Sequence, residues 1–321
     1  MKGFLPILLL LVCAGCSFDE AQEYNPELRL MFQPAMYMHV AHEDVEKFST
    51  KETFGVCAWV LPSNTDWTDG GTQAIPYLPL AEAKSRELVV TDTTMRDTAV
   101  DTLWVVTDND RWVSAEQNLA FMAYAPYQAK CKCDNENGIT CRMDMLTDQT
   151  DLLYSAPQTI RQKTLQGWLV PIYFEHALCQ VQFEVKNRVE DDEKITIKSI
   201  AIDEVAHRGT FRSLKLPQWE IEKNTTTLYF YKGRHDSHGL PEPIGRYWLM
   251  LPQQLDTRVT VEYEYTTAAQ TTIEQKLKTI PLRTNLKAGR NYTYTLSVGI
   301  DDVIFLEEII AHRFTTKESG E

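Results

Sequence analysis

Several features that organise other proteins are scarce in this chain. Only 14 glycines and 14 prolines occur in 321 residues, and no glycine run follows a strand and opens a helix. That removes the phosphate-cradling loops of dinucleotide and P-loop sites. Basic charge is in deficit: 32 Lys and Arg stand against 45 Asp and Glu, for a net charge of −13. Such a chain has no electrostatic footprint for nucleic acid or for an anionic membrane surface. Helical periodicity is scarce too; Asp44 to Phe48 and Ala81 to Arg86 each read as a turn or two, and nothing longer follows a helical repeat. With 43% hydrophobic residues the chain can still bury a core and is not a disordered polar tail.

What is present begins at the N-terminus. Lys2 precedes an apolar run from Phe4 to Val12, too short to cross a bilayer as a helix, and Cys13-Ala14-Gly15-Cys16 follows. Residues 1–15 read as an export signal that is removed. A cysteine after small residues at such a cut suits thioether attachment of diacylglycerol, and several acyl chains anchor far better than one. Cys16 is therefore the expected lipid anchor, and residues 16–27, opening Ser17-Phe18-Asp19-Glu20, an acidic tether. The plainer alternative is an ordinary signal-peptidase cut with Cys16 merely close by.

The remaining length exceeds what a single core usually supports, so two domains are expected, at 28–163 and 164–321, with the junction in the polar segment from Ile160 to Gly167. Strand signals dominate both. Leu28 to Phe32, Phe54 to Val60, Thr102 to Val106 and Asn118 to Tyr124 are short, β-branched or aromatic. Leu178 to Val185, Lys194 to Ile202, Val259 to Tyr265 and Tyr292 to Val298 alternate apolar with polar residues, the pattern of strands with one wet face. The fold class is all-β: two tandem antiparallel β-sandwiches.

The chemistry-bearing residues are few. In an exported chain, Cys131, Cys133 and Cys141 suggest one loop disulfide, Cys131 or Cys133 to Cys141, across the turn-rich Asp134 to Gly138. Zinc is the rival reading, but the fourth ligand is missing, so no metal is expected. Cys57 and Cys179 lie in apolar strands and read as small buried hydrophobes. Most tryptophans fall inside strand patterns. Trp67 instead sits in the polar, glycine-bearing loop Asn64 to Gly71, where an exposed ring could touch a ligand. His176 opens an apolar strand with no carboxylate and nucleophile nearby in sequence. Asp151, Asp203, Glu204 and Glu262 are available as acid and base on a glycoside, yet acidic pairs arise by chance in so acidic a chain. No enzyme and no cofactor are expected.

Three motifs resemble those of the Bacteroidales fimbrillins, lipoprotein subunits of pili assembled outside the cell. Phe121-Met-Ala-Tyr-Ala-Pro-Tyr127 is similar to that family's Phe-x-Ala-Tyr-x-Pro-Tyr element, Phe174-Glu-His-Ala-Leu-Cys-Gln-Val181 to its His-Ala-Leu-x-x-Val strand, and Leu286-Lys-Ala-Gly-Arg-Asn-Tyr-Thr-Tyr-Thr-Leu296 to its closing strand. The acidic tether resembles the signal that sends Bacteroidales lipoproteins to the outer face of the outer membrane. The resemblance implies two transthyretin-like domains and assembly by strand exchange: an Arg-specific protease removes the first strand, and a neighbour's strand enters the groove by β-augmentation. On that reading Arg29 is the cleavage candidate. Val303, Ile304, Phe305, Leu306, Ile309 and Ile310 form the candidate donor strand. The partners are other pilus subunits, a lipid anchor in the outer membrane and a ligand on a host or bacterial surface. The polar tail after Arg313 departs from an apolar donor running to the last residue and fits a tip or anchor subunit as well as a stalk. The competing function is a surface glycan-binding lipoprotein that does not polymerise.

Overall fold

The computed structural model describes residues 30–36, 48–49, 52–62, 64–91, 98–106, 118–127, 130–161, 169–216, 218–267, 269 and 273–311. Among them the only helix is one turn, α1 (Trp67–Gly70), followed by a 3₁₀ turn at Gly71–Gln73; the rest of the regular structure is strand. The first half contains β1 (Met31–Met36), β2 (Phe54–Leu61), β3 (Ile75–Thr91), β4 (Thr98–Val106), β5 (Asn118–Ala125), the hairpin of β6 (Lys132–Asp134) and β7 (Gly138–Asp144), then β8 (Leu153–Arg161) and β9 (Leu169–His176). Seven of these close into one sheet in the order β1-β4-β3-β2-β5-β8-β9.

The second half contains β10 (Cys179–Asn187), β11 (Lys194–Ala206), the hairpin of β12 (Arg208–Arg212) and β13 (Trp219–Ile221), β14 (Thr225–Asp236), β15 (Glu242–Met250), β16 (Gln254–Thr266), β17 (Ile273–Asn285), β18 (Asn291–Val298) and β19 (Val303–Ala311). Two four-stranded sheets, β15-β10-β18-β19 and β14-β11-β16-β17, form a sandwich, while β13-β12-β7-β6 forms a fourth sheet from one hairpin of each half.

The apolar runs have a physical cause. In β2 and β5, Val56, Ala58, Phe121 and Ala123 enter the barrel core. Their neighbours Cys57, Trp59, Met122 and Tyr124 enter a second core on the opposite face. A strand covered on both sides must be apolar throughout. Gly55 belongs to the same arrangement, since a Cβ there would run into the Tyr124 ring. In the sandwich one face suffices: Val181, Phe183 and Val185 are buried while Gln182, Glu184 and Lys186 are half-exposed. Phe183 meets Phe230 edge-on at 4.9 Å. Gly289, at φ +68°, makes the left-handed turn that feeds β18.

Three expectations change. The sheets are not wholly antiparallel, because β1 runs parallel to β9 and β10 parallel to β18. β9 was expected beyond the junction at 163/164, yet it pairs with β1 and β8 inside the first sheet, so the crossing between halves falls at Ala177 and Leu178. Its pairing partners, not the polar segment before it, decide where it belongs. Ala81 to Arg86 is strand within β3, paired with β2 through Ala83 and with β4 from Ala83 onward; sheet pairing overrides a weak helical preference. Of the other expected helical turn, only Phe48 is described; it is buried and stacks on Phe174 at 5.1 Å.

Candidate functional site: the first and last strands

β1 is the seam of the first domain. It pairs with β9 from Met31↔Leu169 to Met36↔Phe174 and with β4 at Met31↔Val105 and Phe32↔Trp104. Leu30, Phe32 and Met36 are buried, and Phe32 packs edge-on against Phe54 at 6.0 Å and Phe121 at 5.8 Å. Deleting a ring so enclosed costs roughly 3–5 kcal/mol.

Arg29 and Cys16 both lie outside the described residues. The bounds of β1 nevertheless bear on the expected cleavage. The strand starts at Met31, so a cut after Arg29 leaves it attached to the chain instead of removing it. The next arginine, Arg86, lies within β3. Lys47 and Lys51 are the basic residues between β1 and β2.

β19 pairs with the chain's own β18 from Val298↔Val303 to Asn291↔Ala311, with a bulge between the partners of Thr295 and Leu296. Val303 is buried and Phe305 packs against the core, its ring 5.8 Å from Tyr294. Ile304, Leu306, Ile309 and Ile310 are 40–52% exposed, which leaves apolar side chains in water along a sheet edge. Across the open side of the sandwich a cavity of about 250 Å³ lies between β19 and β17, lined by Leu282, Tyr294, Phe305, Leu306 and Glu308 among others. Burial pushes the pKa of the Tyr294 hydroxyl up, with Thr284 and Glu308 beside it. Thr284 Oγ1 donates to Glu308 Oε1 at 3.1 Å.

The two edge strands on this side differ. β17 carries Lys276, Lys278 and Pro281, residues that discourage a further strand from pairing. β19 has neither lysine nor proline.

The other expected residues are placed as follows. Cys131 is bonded to Cys141. Cys57, expected as an unpaired hydrophobe, is bonded to Cys133 across 76 residues of sequence. The outer face of β2 brings it to β6, a contact that no local spacing announces. Cys179 remains free and buried, with burial pushing its thiol pKa up.

Trp67 is not an exposed platform: it opens α1, is half-buried, and packs against Trp59 at 5.5 Å. His176 does meet a carboxylate, Asp151 Oδ2 at 2.6 Å from Nδ1, brought there by the fold from 25 residues away. Asp203 accepts hydrogen bonds from Thr227 and Thr260 at 3.1 Å each, and Glu262 accepts one from Ser199 at 3.3 Å. Glu204 sits at φ +53° in β11, where its pairing with β14 shifts register. Among the described residues no group of His, Cys, Asp and Glu is arranged to hold a metal.

Among the described residues the chain is nearly all β, with β1 closing the first sheet and β19 on an open edge of the sandwich. The profile of the fimbrillin-like family matches residues 44–311, and the chain belongs to that family. The fimbrium subunit Fim1C of Phocaeicola vulgatus is 23% identical over 264 residues, 77% of this chain and 64% of that relative, so the chain spans less than two thirds of the relative's length. The crystal structure of a proposed cell adhesion protein from Bacteroides ovatus aligns with a TM-score of 0.56 at 14% identity, over 90% of this chain and 99% of the other. That likeness shows a shared fold.

Proposed function

We propose that the chain is a structural subunit of a cell-surface pilus, held in the outer membrane through a lipid on Cys16 and joined to neighbouring subunits by strand addition. The observation that carries the reading is the fimbrillin-like match over 44–311, together with β19, an edge strand lacking lysine and proline and bearing four exposed apolar side chains. Backbone hydrogen bonds along such an edge supply affinity, and alternate side chains supply specificity. Because Arg29 precedes β1, this subunit keeps its first strand after an arginine cut and acts at the end of a pilus, as anchor or tip, through its C-terminal domain. Trp67, packed on Trp59, offers little to the competing glycan-binding role.

The test is fractionation of sheared appendages from cells carrying a tagged chain. The chain is expected in the appendage fraction bound to other subunits, still bearing residues 30–36, and Cys16→Ala should move it from membranes to the medium. A chain found in membranes alone, with no other subunit attached, would sink the pilus reading. Glycan-array binding by its soluble domains would then support the alternative.

A further inference from the structure

The two domains are joined by more than the crossing at Ala177 and Leu178. In the sheet shared by the two hairpins, β7 pairs with β12 from Thr140↔Arg212 to Asp144↔Arg208. Beneath it lies an apolar cluster that belongs to neither domain: Trp59 and Tyr124 from the outer face of the barrel, Met143 from β7, and Phe211, Trp219 and Leu251 from the second half. Polar contacts close the joint. Trp219 Nε1 donates to the Ala177 carbonyl at 2.7 Å, and the Gln149 amide makes both hydrogen bonds to the backbone of Leu249. Asp144 meets Arg208 Nε at 2.7 Å and His207 Nδ1 at 2.9 Å.

Both disulfides lie in this joint. Cys131–Cys141 ties the entry of β6 to β7, at the residue that faces Phe211 in register. Cys57–Cys133 ties β6 to β2, which lies inside the barrel sheet between β3 and β5. Covalent bonds thus run from the barrel wall through β6 to β7, the strand that holds the second domain's hairpin. Without the bridge to Cys57, the β6–β7 hairpin is an insertion kept on the barrel by its two connections and the apolar cluster alone.

We infer that this sheet is a redox-sensitive clamp: with both bridges formed the two domains unfold as one cooperative unit, and reduction of Cys57–Cys133 frees the hairpin from the barrel and uncouples them. Cys57, Cys131 and Cys141 are at most 3% exposed, whereas Cys133 is half-exposed. A dithiol's thiolate therefore attacks the Cys133 sulfur and expels the Cys57 thiolate. The second thiol of the reductant resolves the mixed disulfide, so the bridge takes up two electrons and two protons while the reductant forms its own disulfide. The inference stands whether or not the chain is a pilus subunit.

Calorimetry and amide hydrogen exchange on the full exported chain test it. The oxidised protein is expected to show one transition. The double variant Cys57→Ser, Cys133→Ser should show two, with exchange in β7 and β12 at least about tenfold faster, a change of at least one RT ln 10 in local opening. Dithiol treatment should reproduce that behaviour. The sandwich of the second half contributes no cysteine to either bridge, so its own transition reports whether the variant has folded.

Gly209→Val provides a second route. A Cβ at Gly209 meets the Glu220 carbonyl at 3.1 Å, Trp219 at 3.2 Å and Leu251 at 3.3 Å, so a larger side chain disrupts the shared sheet while both bridges stay intact. It too should uncouple the domains. A cysteine double variant that keeps a single transition and unchanged exchange overturns the inference, and does so most directly where Gly209→Val alone gives two transitions.

Discussion

The two halves of the chain begin alike and finish differently. β1 lies between an antiparallel neighbour, β4, and a parallel one, β9; β10 lies in the same way between antiparallel β15 and parallel β18. In the first domain the sheet then closes and leaves no edge. In the second, β18 passes to β19 and the sandwich stays open, with β17 and β19 flanking a cavity. Closure removes unpaired backbone groups, which an open sheet must guard by other means. The first sheet thus offers no free edge among the described residues, whereas β19 leaves one open in the second half.

The most severe way to break this comparison is to remove the seam. Deleting residues 30–36 should abolish the cooperative transition of the first domain, and a synthetic peptide of that segment should restore it in trans. A Phe32→Ala peptide should bind at least about a hundredfold more weakly, as expected for roughly 3–5 kcal/mol of buried aromatic packing. Restoration by a scrambled peptide would show that the groove does not read this strand.

The bridges come next. Chain entropy for loops of 76 and 10 residues predicts losses of about 4.5 and about 2.7 kcal/mol for removing Cys57–Cys133 and Cys131–Cys141. Denaturant unfolding of the two double Cys→Ser variants checks the order, and a reversed order would mean that native strain, not loop length, governs the joint.

A smaller effect is electrostatic. Burial alone would raise the Asp144 carboxyl, but hydrogen bonds from His207, Arg208 and the Leu146 amide outweigh it and bring the pKa from 3.8 to about 2. A depressed carboxylate contributes stability in full above its unfolded value, and that contribution disappears as pH falls through the folded one. After discounting for solvent screening, Asp144→Asn should cost about 1 kcal/mol near pH 6. The gap from wild type should shrink between about pH 4 and pH 2. A gap that is independent of pH would assign the loss to packing.

The least effect on stability belongs to the open edge. Ile304→Lys with Leu306→Lys should change unfolding free energy by less than about 1 kcal/mol, since both side chains are already 40–45% exposed and a lysine can carry its charge out into water. The same pair should reduce the chain's recovery with other subunits in sheared appendages, because lysine on an edge opposes further pairing. Unchanged recovery would place the subunit contact elsewhere.

Much of the fold was legible because strands declare themselves locally. The alternation in β10 and β16 follows directly from one buried and one wet face, and the turn at Ala288-Gly289 is visible in its glycine; β18 alternates in sequence too, but it is buried at every residue, Thr293, Thr295 and Ser297 included, and β11 encloses Thr196 and Ser199. The continuous run in β2 also read as strand, but the presence of a different core on each of its faces did not, since an apolar residue looks the same whichever core receives it. The helical reading of Ala81 to Arg86 failed for a related reason: intrinsic preference is weaker than pairing into a sheet, with β2 up to Ala83 and with β4 from there on.

Residue type and order alone thus determined an acidic, nearly all-β chain with motifs of the fimbrillin-like family. Those features depend on composition, on period two and on short contiguous motifs. Tertiary structure alone decided that Cys57 meets Cys133, that Asp151 meets His176, that β9 closes the first sheet and that the two hairpins form one joint. Each of these pairs is separated by 25 residues or more or belongs to different hairpins. Contacts at such separations arise from which faces pack together, and no local pattern encodes that choice.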